Sequence, residues 1–210
     1  IGSFSGPGFY NGGLISSTFD AVTIERAYTD YIFTNYGDIL SSEGDGVSLG
    51  NFSSTPSAEP LGLAAAGTGG LYSPAVEMSF FNGGNIIAGG IGVDIGHDVF
   101  LFENEGLISG GRYGVRISGP VYGFVNMGTI TASDSGTPPP PPQRPYAESI
   151  SLAAPALSSR ASGEGVRLDF VEGGIVNGPD ASIAGNRLGL SAYVVGNMFL
   201  NYGTISGGYQ

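Results

Sequence analysis

One seven-residue motif recurs along this 210-residue chain. The pattern Phe-x-Asn-x-Gly-x-Ile starts at Phe9, Phe33, Phe80, Phe102, Phe124 and Phe199. Its fixed residues fall at every second position, which is the side-chain period of a β-strand and not of an α-helix. A short unit that recurs at regular spacing is typical of repeat proteins, whose units stack to bury a shared core. The motif therefore predicts stacked β-strands with Phe, Asn and Ile facing inward.

The inward side chains of the motif are expected to form a core ladder. A buried Asn needs partners for its amide and its carbonyl group, and stacked copies can supply them from one level to the next. A seventh, degenerate copy is expected at Phe170, where Glu172 stands in the Asn place. The predicted ladder residues are Phe9, Phe33, Phe80, Phe102, Phe124, Phe170, Phe199, Asn11, Asn35, Asn82, Asn104, Asn126 and Asn201.

The spacing of the copies indicates how the chain is divided. Successive Phe residues, with Phe170 included, are 24, 47, 22, 22, 46 and 29 residues apart. The 22-residue spacing predicts a coil of short strands joined by glycine turns, and we interpret the two long intervals as coils with insertions at 50–74 and 131–164. The second insertion contains five consecutive prolines, which cannot join a sheet. The prediction is one all-β domain over 1–210, a parallel β-helix (β-solenoid) of about seven coils with two inserted loops.

The composition narrows the classes of function. The formal net charge of −11 argues against nucleic acid and anionic membrane surfaces as partners. No run of about 18 apolar residues is present, so no transmembrane helix is expected. With no cysteine and a single histidine, the chain offers no typical zinc, thiolate or iron–sulfur site. We therefore expect no metal and no other cofactor.

Three features carry residue types that are found in catalytic or metal sites. The stretch 89–94 matches the start of a calcium-binding nonapeptide repeat, but calcium there needs tandem copies. His97 is expected to be a solvated turn residue.

Short apolar–polar–apolar strands precede most motif copies, and their alignment puts Glu77 and Asp94 in one outward column, followed by two arginines. Paired carboxylates suit a glycosidase, whereas mixed charges only stabilise a sheet, so a polysaccharide-degrading enzyme is an alternative to the non-enzymatic protein that we expect.

The two ends of the chain complement each other in sequence. Ile-Ser-Gly-Gly at 205–208, followed by Ser-Gly-Pro at 5–7 of a second copy, repeats the order found at 108–111 and 118–120. We therefore predict that copies stack head to tail, and a contact of this kind that does not close gives a filament. The alternative is one longer chain whose next repeats look alike. The expected junction residues are Ile1, Phe4, Phe9, Asn11, Phe199, Asn201, Ile205 and Tyr209.

The stretch Asn-Glu-Gly-Leu-Ile-Ser-Gly-Gly at 104–111 resembles the repeats of bacterial autotransporter passengers and related β-helical adhesins. The resemblance covers most of the chain outside the two insertions. It implies a right-handed parallel β-helix at the extracellular face of a bacterial cell, with a role in adhesion, autoaggregation or scaffolding. The expected partners are further copies of the chain and surface glycans or host cell surfaces. Asn51, in an Asn-x-Ser sequon, and Thr137, in the Pro-rich insertion, are candidate glycosylation sites.

Overall fold

The computed structural model describes residues 8–25, 31–50, 78–133, 163–193 and 195–208. Within these ranges the chain is all-β, and no helix occurs. The strands, in chain order, are β1 Gly8–Asn11, β2 Leu14–Ser17, β3 Val22–Ile24, β4 Tyr31–Asn35, β5 Asp38–Ser41, β6 Val47–Leu49, β7 Met78–Asn82, β8 Asn85–Ala88, β9 Ile91–Ile95, β10 Leu101–Asn104, β11 Leu107–Gly110, β12 Tyr113–Asn126, β13 Thr129–Ala132, β14 Glu164–Asn177, β15 Ser182–Gly185, β16 Leu188–Ala192, β17 Met198–Asn201 and β18 Thr204–Gly207.

The described strands form parallel sheets that curl around one core like a half-barrel. A seven-stranded sheet has the order β18-β15-β13-β11-β8-β5-β2, and an eleven-stranded sheet holds the other strands. Neighbours in a sheet come from successive motif copies and not from successive strands, so that β2 pairs with β5 and β5 with β8. Parallel neighbours need a crossover connection, which the remainder of each repeat supplies.

The strand registers place one motif copy directly on the next. Phe33 lies opposite Phe80, so the 47-residue interval between them spans a single level of the sheet. Phe124 lies opposite Ile175, and no further copy lies between them in the sheet. We call the stretch of chain that supplies one inward Asn a rung.

The insertion expected at 131–164 is shorter at both ends in the structure. Thr131 and Ala132 belong to β13 and Glu164 begins β14, because their backbone groups pair with neighbouring rungs. The rest of this insertion, and residues 51–77, lie outside the described residues. The strand that follows residues 51–77 is β7, which begins at Met78 opposite Tyr31.

The core consists of columns of like residues, because the alternating strand pattern turns the same motif positions inward in every rung. Phe33, Phe80, Phe102 and Phe124 are at most 1% exposed, and Ile39, Ile86, Ile108 and Ile130 are fully buried. Complete burial of one such side chain is worth roughly 1.5–3 kcal/mol. Repetition of one apolar pattern therefore produces one continuous core.

The motif glycine is required by the neighbouring rung. A Cβ atom built on Gly37, Gly84, Gly106 or Gly128 would lie 1.9–2.2 Å from the carbonyl oxygen of the motif glycine before it, which is a backbone overlap. None of these glycines has a φ in the left-handed region, so close stacking and not turn conformation selects them. Gly13, in the first described rung, differs because no atom of the described residues lies within 4 Å of its Cβ position.

Candidate stacking interface

The inward asparagines form a hydrogen-bonded ladder. In each step the Nδ2 of one Asn donates to the Oδ1 of the Asn in the following rung, at 2.8–2.9 Å. Most of these side chains are fully buried, so each bond satisfies groups that are removed from water. The ladder runs through Asn11, Asn35, Asn82, Asn104, Asn126, Asn177 and Asn201.

The ladder has a fixed direction. In the first five rungs the same Nδ2 also donates to a backbone carbonyl two residues further along the chain, at 3.1 Å. A carbonyl oxygen can accept only from the amide nitrogen of Asn, so this second bond fixes which way each amide group is turned. Every donor therefore faces the C-terminal end of the stack and every ladder acceptor faces the N-terminal end.

The phenylalanines of the first five rungs form a stack beside the ladder. Ring centroids are 4.7–4.8 Å apart from Phe9 to Phe124, and neighbouring ring planes differ by 10° or less. This spacing equals the distance between paired strands. The stack is interrupted at the sixth rung, where Ile175 replaces Phe, and Phe199 of the last described rung lies opposite that Ile.

The assignment of Phe170 to the ladder is wrong. Phe170 lies opposite Pro120 on β12 and is 41% exposed, whereas Ile175 and Asn177 occupy the Phe and Asn positions of this rung. The sequence pattern missed Asn177 because Ile replaces Phe and the following turn is two residues longer than in other copies, with Asp180 at φ 62°. One sequence feature could have identified Asn177. It lies 24 residues before Asn201, the same separation as that between Asn11 and Asn35.

The predicted junction residues divide between the two end rungs. Phe9 is half-buried and Asn11 is 7% exposed in the first described rung. In the last described rung Phe199 is 48% exposed, Asn201 is exposed and Ile205 is half-buried. Ile1, Phe4 and Tyr209 lie outside the described residues, as do the glycosylation candidates Asn51 and Thr137.

The two ends of the ladder offer complementary hydrogen-bonding groups. In the first described rung no Asn donates to the Oδ1 of Asn11, which accepts instead from the backbone N–H of Gly13 at 3.1 Å. In the last described rung the Oδ1 of Asn201 accepts from Asn177, but its Nδ2 makes no hydrogen bond to the described residues. One end thus presents an acceptor, and the other presents a donor.

The carboxylate pair that the sequence suggested is not formed as expected. Asp94 lies between Ser48 and Arg116 in its column, so neither neighbouring position is left for Glu77, which itself lies outside the described residues. Arg116 donates through both Nε and Nη2 to the Asp94 carboxylate. This hydrogen bonding is the main reason that the pKa of Arg116 is raised. The pair links two neighbouring rungs on the outer face of the sheet.

His97 differs from its prediction. It is 8% exposed and therefore not a solvated turn residue. The backbone of β12 lies against its backbone, since a Cβ on Gly119 would be 2.2 Å from the His97 carbonyl carbon. Burial lowers the pKa of His97 to about 4, so the ring is neutral at pH 7. Within the described ranges, no three His, Cys, Asp or Glu side chains lie together in a way that could hold a metal ion.

The chain matches no protein-family model, and no curated protein or solved structure is significantly similar to it. In the part of the chain that is described, no helix is long and apolar enough to cross a membrane. The function is therefore inferred from the geometry of the chain itself.

Proposed function

We propose that this chain is a right-handed parallel β-helix of about seven coils, and that it works outside the cell as a non-enzymatic structural or adhesive protein whose copies stack head to tail into a filament. The registers that place motif residue on motif residue support the coil architecture. The right hand and the bacterial cell-surface location rest on the resemblance to autotransporter passengers.

The environment of Gly13 is the observation that carries the stacking proposal. Gly37 occupies the same motif position one rung later. A Cβ built on Gly37 would lie 1.9 Å from the carbonyl oxygen of Gly13, so no residue other than glycine fits there. At Gly13 itself the Cβ position is open. A glycine here has no packing reason among the described residues. It gains that reason when another motif glycine, namely Gly203 of a second copy, packs against it.

The direction of the asparagine ladder supports the head-to-tail arrangement. The Nδ2 of Asn201 in one copy would donate to the Oδ1 of Asn11 in the next, as every other ladder asparagine does to its successor. A head-to-head contact would instead oppose two acceptors, and a tail-to-tail contact would oppose two donors. Such a heterologous contact, repeated without closure, gives a filament.

Two alternatives use the same fold. A further repeat of one longer adhesin chain would satisfy Gly13 and Asn11 equally well, so the same observation favours it as the second candidate. A polysaccharide-degrading enzyme is weaker, because Asp94, the described member of the suggested carboxylate pair, is bound to Arg116.

A disulfide formed between two different chains tests the stacking. The protein has no cysteine, so introduced thiols are the only ones present. In a continuous stack β18 of one copy would pair with β2 of the next, which sets Thr204 beside Leu14 at about 4.8 Å, within the Cα range of a disulfide. We expect a mixture of Thr204→Cys and Leu14→Cys chains to give covalent dimers on oxidation.

The controls for this experiment lie on the same strand and at the same end. Ser16→Cys, two residues beyond Leu14, should not cross-link to Thr204→Cys, because its Cα would be farther away than the roughly 7 Å that a disulfide spans. Gly13→Ala should leave the single chain folded and abolish the cross-link together with filaments in electron micrographs. Monodisperse native protein at high concentration, with no cross-linked dimer, would overturn the proposal.

A further inference from the structure

Three aromatic side chains form a row on the outer surface of the first three described rungs. The ring centroids of Tyr10 and Tyr36 are 5.9 Å apart, those of Tyr36 and Phe81 are 5.2 Å apart, and each pair is tilted by 50°. Tyr10 is 70% exposed, Tyr36 is 53% exposed, and Phe81 is half-buried. We call these three residues the aromatic row.

Two glycines let the rings lie close to the backbone. A Cβ on Gly83 would be 3.0 Å from the Phe81 ring and 3.1 Å from the Tyr36 ring, and a Cβ on Gly12 would be 3.2 Å from the Tyr10 ring. The nearest atoms are ring atoms in each case, so an added Cβ would shift the rings by a few tenths of an ångström. The rings of the aromatic row therefore pack against the backbone at Gly12 and Gly83, and their exposed parts face the solvent.

The net charge of the chain, −11, disfavours an anionic ligand. The described ranges 8–25 and 31–50 contain five carboxylates and neither Lys nor Arg. Asp38, two residues after Tyr36, is half-buried and accepts a hydrogen bond from the Nδ2 of the buried Asn85 at 2.7 Å. Its carboxylate keeps further positions that can accept hydrogen bonds. Acidic polymers and anionic lipid are repelled from such a surface. An uncharged ligand with apolar faces and hydroxyl groups at its edge fits it.

The size of the aromatic row also limits its occupant. A fully exposed aromatic side chain presents about 150–250 Å², so the exposed parts of these three rings amount to a few hundred Å². A stable protein partner needs about 800 Å² on each side. The row is too small for that, but a chain of small flat units can lie along it, with successive units meeting rings in successive rungs.

We propose that the aromatic row binds an uncharged polysaccharide. The apolar C–H faces of successive pyranose rings stack on Tyr10, Tyr36 and Phe81, and a hydroxyl group at a sugar edge donates to the Asp38 carboxylate. This assigns a ligand class to the adhesive role, and it rests on the proposed function only for the location outside the cell.

Native gel electrophoresis with a polysaccharide in the gel measures this binding. The probes are a mixed-linkage β-glucan and a galactomannan, which are uncharged, and alginate, which is acidic. We expect at least one neutral polymer to retard the protein and alginate to leave it unretarded. Tyr36→Ala removes the central ring and should weaken binding by about tenfold or more. Gly83→Ala shifts two rings by only a few tenths of an ångström and should weaken binding less.

Matched controls separate the aromatic row from aromatic exposure in general. Tyr193→Ala removes a side chain that is 87% exposed, and Gly174→Ala adds a Cβ at an ordinary 3.4 Å contact, so both should bind like the native protein. The proposal is overturned if neither neutral polymer retards the native protein, or if Tyr36→Ala binds as tightly as the native protein. It is also overturned if sedimentation shows that Tyr36→Ala abolishes a lateral dimer, because the occupant is then a second copy.

The same variants separate this proposal from the stacking proposal. Gly13→Ala should lose filaments and keep polysaccharide binding, whereas Tyr36→Ala should keep filaments and lose polysaccharide binding. Native protein that never stacks but is retarded by a neutral polymer overturns the filament and supports the aromatic row.

Discussion

The Nδ2 of Asn104 donates to the Oδ1 of Asn126 at 2.9 Å, and both side chains are completely buried. Asn104 in turn accepts from the Nδ2 of Asn82. One interior asparagine therefore forms hydrogen bonds with two others, whereas an asparagine at the end of the ladder bonds to one. The contribution of each asparagine to stability should depend on its position in the ladder.

Removal of an interior asparagine should cost more than removal of the last one. Asn104→Ala leaves one buried donor group and one buried acceptor group without their ladder partners, so we expect a loss of about 2–4 kcal/mol in the free energy of unfolding. Asn201→Ala affects only Asn177 and removes an exposed side chain, so about 1 kcal/mol or less is expected. Urea denaturation of both variants measures the difference, and equal losses would contradict the ladder.

The two phenylalanines Phe102 and Phe170 should respond in opposite ways to truncation. Phe102 is fully buried between two stacked rings, so Phe102→Ala should cost about 3–5 kcal/mol. Phe170 is 41% exposed, so Phe170→Ala should cost less than about 1 kcal/mol. Thermal and urea denaturation test this pair, and a large loss for Phe170→Ala would place Phe170 in the core after all.

An alanine at an interior motif glycine should force two rungs apart. The Cβ of Gly106→Ala would lie 2.0 Å from the carbonyl oxygen of Gly84, so we expect a loss of about 3 kcal/mol, at the upper end for overpacking. Gly174→Ala is the control, since its Cβ has ordinary contact distances and should change stability by less than about 1 kcal/mol. Similar urea midpoints for the two variants would refute the close approach of the backbones.

Acid should destabilise the protein through His97. Burial lowers the pKa of this ring from 6.5 to about 4 in the folded chain, so below pH 6.5 the unfolded chain binds the proton more readily. The stability that neutral His97 provides is complete above pH 6.5 and is lost as the pH falls to about 4. A shift of this size corresponds to about 3 kcal/mol.

The His97→Gln variant isolates this effect from that of the carboxylates. Burial raises the pKa of Asp45, which acts in the opposite sense, but it does so in both proteins. The difference in free energy of unfolding between native protein and variant should therefore change between pH 7 and pH 4. A difference that stays constant over this range would show that His97 is accessible in the folded chain.

The motif alone was enough to predict the stacked strands and most of the ladder. Period-two spacing of Phe, Asn, Gly and Ile can bury only one face of a strand. Neighbouring copies must then pair in register, because a slip of one residue would turn the apolar side chains to the other face. The positions of Phe33, Phe80, Phe102 and Phe124 could therefore be predicted without a structure. The sequence pattern could not locate the sixth rung, because the stretch at Phe170 matches the motif better than the stretch at Ile175, which actually lies opposite Phe124.

The sequence by itself determined that like residues must lie on like residues, because each motif copy buries its apolar face only against another copy. Only the tertiary structure decided which residues become neighbours across the insertions. It pairs Asp94 with Arg116, sets the backbone of β12 against that of His97, and brings Tyr10, Tyr36 and Phe81 into one row. The physical reason is that pairing is set by the hydrogen-bond register between rungs, and residues far apart in the chain supply both sides of it.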